Sequence, residues 1–299
     1  MKQDNPDPVA PIDLLRRALP DLSPRLHEVG RFLADHEFDA VTRSMRGLAT
    51  AAGINPASFT RLARALGYAG WDELRDALIE SRRTDPATPF SDRAHHAGVD
   101  AAGTPAAMMA ADAARLNRMG AAAVPAAAAV AAAAAALHAA DRAWVAGYRS
   151  CRAVAELLQY QLRLFRPDSV RLVGGSGPED LDFGAFRRGD VVVVAGFAPY
   201  SRASVATARA ARTATCTLIA LADSPAAPMA DGADHFLAFD AATGPGFFPS
   251  LTGAIALVQA LASATFALGG QAALTRLRET ESRLAAQSQY VSGSLGAQK

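Results

Sequence analysis

Residues 44–71 read SMRGLATAAGINPASFTRLARALGYAGW. The stretch encodes two short amphipathic helices with a tight break between them. Ser44 is an N-cap for the first helix, and Met45, Leu48, Ala49 and Ala52 recur at the 3.6-residue helical period. Gly53 takes the left-handed conformation that ends a helix at no steric cost. Asn55 caps the second helix and Pro56 occupies its first position, where a missing N–H does no harm. Phe59, Leu62, Ala63 and Leu66 form the inner face, and Gly67 ends it. Helix, short turn, helix is the geometry that lays a second helix in the major groove of DNA.

The remaining side chains of the stretch fit that use. Ala57, Ser58, Thr60, Arg61 and Arg64 fall off the apolar face, and small or hydroxyl groups near a helix start permit close approach. Arginine reaches guanine edges or phosphates. From residue 40 to 71 the charged residues are Arg43, Arg46, Arg61 and Arg64, with no acid among them. Candidate DNA contacts are Ser58, Thr60 and Arg61 in the groove, Arg43, Arg46 and Arg64 on phosphates, and Asn55 and Ala57 at the helix start. The plain alternative is a helical hairpin with a solvated arginine face.

Working outward, Ile12 to Leu19 is a short amphipathic helix, and Ser23-Pro24 starts another running to about His36 with Val29, Phe32 and Leu33 inward. Phe38 to Val41 is expected to be a brief turn. Trp71 to Ser81 closes the bundle through Trp71, Leu74, Leu78 and Ile79. The first ten residues are expected to be disordered, and with no apolar run among them no signal peptide is expected. After Arg83 the composition turns to prolines and glycines without periodicity, which reads as a linker. His95 and His96 lie in it and read as solvated linker, so no metal or cofactor is expected. The expected division is a helix-turn-helix domain at 1–83, a linker at 84–104 and a second domain at 105–299.

A chain of 299 residues with a net charge of +1 has room for two cores and is no polycation. Any DNA affinity must therefore come from a local patch. Cys151 and Cys216 lack metal spacing and read as reduced buried thiols of a cytoplasmic protein. The alanine-rich run at 121–140 is interrupted by Pro125 and reads as a helix rather than a membrane span.

The second domain has a different rhythm. Two alanine-rich helices, about 105–120 and 124–139, precede alternating strands and helices. The strands are 143–146, 170–173, the continuous apolar run VVVVA at 191–195, 217–221 and 235–239. The helices are 151–165, 201–212 and a long apolar one at 248–268. Alternation of this kind implies a parallel sheet in a three-layer α/β fold, with ligands beyond the carboxyl ends of the strands. The whole chain thus reads as an all-helical bundle followed by an α/β domain.

Two strand-to-helix junctions carry groups suited to an anion. Gly147-Tyr148-Arg149-Ser150 places backbone N–H groups, a guanidinium and a hydroxyl at a helix start, and Tyr200-Ser201-Arg202 repeats the arrangement. The alternative is that Ser150 and Ser201 are only N-caps. Proton-transfer catalysis would need a base, and Glu156, Glu179 and His235 are the candidates, none with a visible partner. No enzyme activity is expected.

The run from Leu22 to Leu78 resembles the N-terminal domain of the RpiR/MurR family of bacterial transcriptional regulators. The likeness rests on Leu48, Ala49, Ala52, Gly53 and Ile54, then Leu66, Gly67, Tyr68, Gly70, Trp71, Glu73 and Leu74. The family's Ser-x-x-Thr appears here as Asn55-Pro56-Ala57-Ser58. The second half resembles the sugar isomerase (SIS) domain through WVAGYRS at 144–150, GDVVVVAGFAPYSRASVATARAA at 189–211 and LIALADSPAAPMADGADHFLAF at 218–239. By that resemblance Ser150 and Ser201, with Arg149, Tyr200, Arg202, Asp223 and Ser224, would hold an effector. Where many SIS domains read Ser-x-Ser-Gly-x-Thr, this chain has Gly196-Phe197-Ala198-Pro199-Tyr200-Ser201 and keeps only the last hydroxyl. The implied protein is a cytoplasmic, homodimeric or tetrameric regulator that binds a pseudopalindromic operator in double-stranded DNA and answers to a small anionic metabolite. The competing class is an SIS-type sugar-phosphate isomerase with a helical scaffold.

Overall fold

A computed structural model describes residues 10–84, 94–95, 103–121, 123–225, 227–241 and 246–287. Apart from the short loop 223–227, these group into an N-terminal unit up to residue 89 and a C-terminal unit from residue 90. Most of the expected linker, His96 included, lies outside the described residues, as does the N-terminal stretch expected to be disordered.

The N-terminal unit is all helical: α1 (Pro11–Ala18), α2 (Pro24–Asp35), α3 (Glu37–Thr42), α4 (Met45–Ala52), α5 (Pro56–Ala65) and α6 (Trp71–Thr84), with a 3-10 turn at Leu19–Asp21. Phe59 is its hub, edge-on to Trp71 with ring centroids 5.3 Å apart and edge-on to Phe32 at 6.5 Å. Leu15, Val29, Leu33, Leu48, Leu62, Leu74 and Leu78 fill the rest of the core. The segment expected to be a turn is the helix α3. Arg75 explains its end, reaching from α6 to donate to the Val41 carbonyl at 3.1 Å.

The C-terminal unit opens with α7 (Thr104–Ala121) and α8 (Ala123–Ala139). There follow β1 (Ala143–Gly147), α9 (Cys151–Arg163), β2 (Val170–Leu172), α10 (Glu179–Phe183), β3 (Val191–Gly196), α11 (Arg202–Thr213), β4 (Thr217–Ala222), β5 (His235–Ala238) and α12 (Thr252–Ala286). The sheet order is β2-β1-β3-β4-β5, and every pairing is parallel. Side chains alternate across it as the period of two requires. Ala143, Val145, Val191, Val193, Ile219, Leu221 and Leu237 join α8, α9 and α12 in one core. The opposite face carries Trp144, edge-on to Phe186 with centroids 5.1 Å apart, and α10 and α11.

The amino ends of β1 and β3 are clamped by an ion pair between half-buried Arg142 and buried Asp190. Asp190, ahead of β3, accepts from Arg142 Nε at 2.9 Å and Nη2 at 2.7 Å, and from Trp144 Nε1 at 3.0 Å. The carboxylate hydrogen bond holds the Arg142 pKa above its ordinary value. Cys216 donates to the Arg187 carbonyl at 3.3 Å in the same corner, and burial raises its thiol pKa. Both cysteines are buried and neither is in a disulfide.

The last helix departs from the expected 248–268. Pro249 disfavours helix at Phe248, and Ser250 Oγ accepts from the Thr252 amide at 3.2 Å, so the helix starts later. At Gly270 (φ 50°, ψ −133°) it breaks and resumes, because the arginine- and glutamate-rich sequence beyond favours helix again. By length and composition this helix is apolar enough to cross a membrane. Its Ala254, Leu257, Val258, Leu261 and Ala262 are buried in the domain core.

Candidate functional site

The α4–α5 pair is fixed by its caps. Ser44 Oγ accepts from the Gly47 amide at 3.2 Å, and Gly53 (φ 65°) ends α4 in the left-handed region. Asn55 Oδ1 accepts from the Ala57 amide at 2.9 Å, so α5 begins three residues after α4 closes. Arg46, Asn55, Ala57, Arg61 and Arg64 are exposed. Arg64 also donates to the Ala69 carbonyl at 3.2 Å, which draws it toward the end of α5.

Three of the sequence candidates are placed otherwise than expected. Ser58 is buried, since it lies four residues before Leu62 and eight before Leu66 on one helical stripe. Its hydroxyl finds no hydrogen-bond partner among the described residues, and its burial does not suit the expected groove contact. Thr60 is half-buried, its hydroxyl 4.0 Å from Met45 Sδ. Arg43 pairs with Asp39 at 3.0 Å, an acid one residue outside the stretch that held only arginines.

In the C-terminal unit both anion-suited junctions lie at neighbouring strand ends. Gly147, the last residue of β1, is in register with Ala195 of β3. Strands so paired lie about 4.8 Å apart. The helix after β1 packs on one face of the sheet and the helix after β3 on the other, so this pair of strands is the switch point. Open α/β sheets take ligands there, beyond the carboxyl ends.

At the first junction the chain turns sharply. A Cβ on Gly147 would lie 2.2 Å from the Cys151 carbonyl oxygen, so only glycine allows α9 to start this close to the strand end. Cys151, Arg152 and Ala153 donate their amides back to Tyr148, Arg149 and Ser150 in a tight first turn. Arg149 is held at φ 54°, an uncommon conformation for a side chain of its size. Arg149 and Ser150 are both exposed, and Ser150 makes no side-chain capping bond. The N-cap alternative therefore does not account for Ser150.

It does account for part of Ser201. Its Oγ accepts from the Ala203 amide at 3.3 Å, which caps α11 and leaves the hydroxyl proton as a donor. Arg202 is exposed, and Tyr200 is half-buried. The loop between is apolar: Phe197 packs edge-on to Phe239 with centroids 6.4 Å apart, and Met229 Sδ lies 2.8 Å from where a Gly196 Cβ would be. Asp223 and Ser224 follow β4 and are buried.

Sequence reasoning missed Tyr148 and Thr207, whose hydroxyl oxygens are 2.7 Å apart. The available signal was a pair of polar residues, Ser204 and Thr207, on the core-facing stripe of α11 with Ala208 and Ala211. The three candidate bases are spread over the domain. Glu156 is exposed and paired with Arg152 at 2.8 Å, and His235 opens β5 at the opposite edge of the sheet. Glu179 opens the short helix α10. A cleft of about 380 Å³ lined by Phe183, Ala206, Arg209, Ala210, Thr213 and Ala214 lies along the far half of α11, away from the switch point. No cluster of metal-ligating side chains is present among the described residues.

A family model of the SIS domain matches residues 136–264. The C-terminal domain is an SIS domain. The sugar isomerase domain of an RpiR transcription factor from Sphaerobacter thermophilus is 28% identical, covering 60% of this chain and 98% of its own, with a TM-score of 0.54. The Vibrio vulnificus NanR protein complexed with ManNAc-6P is 18% identical over 93% of this chain and 98% of its own, at a TM-score of 0.48. No curated protein matches the sequence. With a helical domain ahead of it, this SIS domain supports an RpiR-family regulator. In the SIS domain the switch point lies at β1 and β3, between the junctions bearing Ser150 and Ser201.

Proposed function

We propose that the chain is a cytoplasmic transcriptional regulator whose hold on DNA is set by a small anionic, sugar-phosphate-like metabolite. The observation that carries the reading is the in-register pairing of β1 with β3, which brings Arg149 and Ser150 to the strand end beside the one that leads to Ser201 and Arg202. Two hydroxyls and two guanidinia at one switch point suit an anion, and charge-assisted contacts of this type contribute about 1.5–3 kcal/mol each. Arg61, with Arg46 and the start of α5, is the DNA-reading group, while Ser58 is withdrawn from that role. Each copy offers one short recognition helix, so tight binding calls for a homodimer or tetramer on an inverted repeat. Exposed Met108, Met109 and Leu116 on α7 and Ile255 and Leu268 on α12 are among the apolar groups available for such an assembly. Catalysis is not part of the proposal: Glu156 is exposed and paired with Arg152, and His235 opens the edge strand β5.

The test is selection of random duplex DNA by the full-length protein near physiological salt. An inverted repeat should be recovered, and Arg61→Ala should weaken binding to it by about 1–3 kcal/mol. Adding sugar phosphates should then shift operator affinity, as reciprocal coupling between two sites requires. Recovery of salt-sensitive, sequence-independent binding alone would sink the regulator and favour an isomerase.

A further inference from the structure

Thr207 lies in the second turn of α11 and is fully buried, at a position where a core-facing helix ordinarily carries an aliphatic group. Its Oγ1 donates to the Ala203 carbonyl at 2.8 Å and stands 2.7 Å from the Tyr148 hydroxyl. A hydroxyl has one proton. That of Thr207 is committed to Ala203, so Tyr148 is the donor in the second bond. Burial pushes the Tyr148 phenol pKa up, which keeps the donor protonated at every physiological pH.

The placement of this bond matters more than its strength. Tyr148 is the first residue beyond β1, and the helix that follows it packs on one face of the sheet, with α8 and α12. Thr207 belongs to the helix on the other face. The tyrosine therefore spans the crevice between the two crossover directions, beside the strand ends where the effector is placed. It ties the loop carrying Arg149 and Ser150 to the first two turns of the helix that Ser201 caps.

We infer that Tyr148 is a positioning residue for the effector: its bond to Thr207 fixes the separation of the two anion-holding junctions before a ligand arrives. The inference rests on the effector reading above. A site held at its bound spacing needs less ordering on binding, and the benefit appears as affinity. The apolar loop at 197–199 offers no side-chain hydroxyl to do the same work, so the tie falls to Tyr148.

The test uses full-length protein with inorganic phosphate as probe, and Tyr148→Phe, Thr207→Val and Thr207→Ser as variants. Tyr148→Phe removes a donor and leaves Thr207 bonded to Ala203, so the fold is retained. Tyr148→Phe and Thr207→Val should each raise the phosphate dissociation constant about tenfold. Thr207→Ser should restore it. Without ligand, amides 149–153 should exchange faster in the first two variants, although Thr207 is more than fifty residues from them in sequence, and saturating phosphate should slow them again. Wild-type phosphate affinity and wild-type exchange in Tyr148→Phe would overturn the inference while leaving the effector reading intact. A wild-type protein that ignores phosphate and sugar phosphates alike, in heat and in exchange, would overturn both.

Discussion

Replacing Gly147 by alanine tests whether the close start of α9 over the end of β1 builds the site. The added Cβ would lie 2.2 Å from the Cys151 carbonyl oxygen, 2.8 Å from its carbon and 3.0 Å from the Ala155 Cβ. A relaxed carbon–oxygen contact is about 3.2 Å or more, so the helix start must rise by about 1 Å. Two of the three obstructing atoms are backbone, which no rotamer change can clear. Lifting α9 also pulls Val154, Leu158 and Leu162 from the core they share with β1 and β3. Overpacking of this kind destabilises by about 1–3 kcal/mol, and backbone obstruction places it at the upper end. For a domain of this size each kcal/mol lowers the midpoint by about 2–4 °C, so thermal unfolding should fall by at least about 6 °C. Phosphate binding should weaken in parallel, because Arg149 and Ser150 move with the helix start. Gly196→Ala is the control: it meets only the flexible end of Met229 and Ser204 Oγ, and Met229 can give way. A Gly147→Ala protein within about 2 °C of wild type, with unchanged phosphate affinity, would refute the reasoning.

Two further outcomes are expected. Asn55→Ala should cost the N-terminal unit about 0.5–2 kcal/mol, because Oδ1 no longer accepts from the Ala57 amide, whereas Asn55→Ser should recover most of it. Urea unfolding followed by Trp71 fluorescence in a Trp144→Phe background reads that unit alone, and equal midpoints for all three proteins would count against the cap. Burial pushes the Asp112 pKa up, but hydrogen bonds from Ser250, Thr252 and Arg115 outweigh it and hold the group below its ordinary value. A depressed carboxylate stabilises fully above its unfolded pKa and ceases to do so as pH falls through the folded one. The docking of α7 should therefore loosen below about pH 4, and Asp112→Asn should flatten that part of the midpoint–pH curve. Identical curves for the two proteins would exclude the linkage.

What the sequence made legible was local. Ser44, Gly53, Asn55 and Pro56 mark helix ends because a cap involves two or three neighbouring residues, and the structure places α4 and α5 within a residue of the expected bounds. The all-helical unit and the parallel α/β unit were legible for the same reason. What escaped depended on partners far along the chain. Ser58 looked outward because an apolar stripe drawn from Phe59 and Leu62 has no sharp edge, and burial decides the residue beside it. Arg43 looked available because Asp39 lay just outside the stretch in view. The strand order, and hence the switch point, is a property of pairing between β1 and β3 that no local pattern carries. The Tyr148–Thr207 bond crosses 59 positions and is invisible until the sheet is assembled.

The Arg142–Asp190–Trp144 cluster has a consequence for how this domain can change. It secures the amino ends of β1 and β3, at the edge opposite the two proposed effector junctions, with the carboxylate sheltered from water. The register of the central strands therefore does not depend on the loops at residues 148–150 and 197–201. Those loops are interchangeable parts on a fixed chassis: grafting the corresponding loops from another SIS domain should transplant its ligand preference and leave the fold standing. A protein with the proposed function would acquire a new signal by exchanging these eight residues, with the helix α5 untouched.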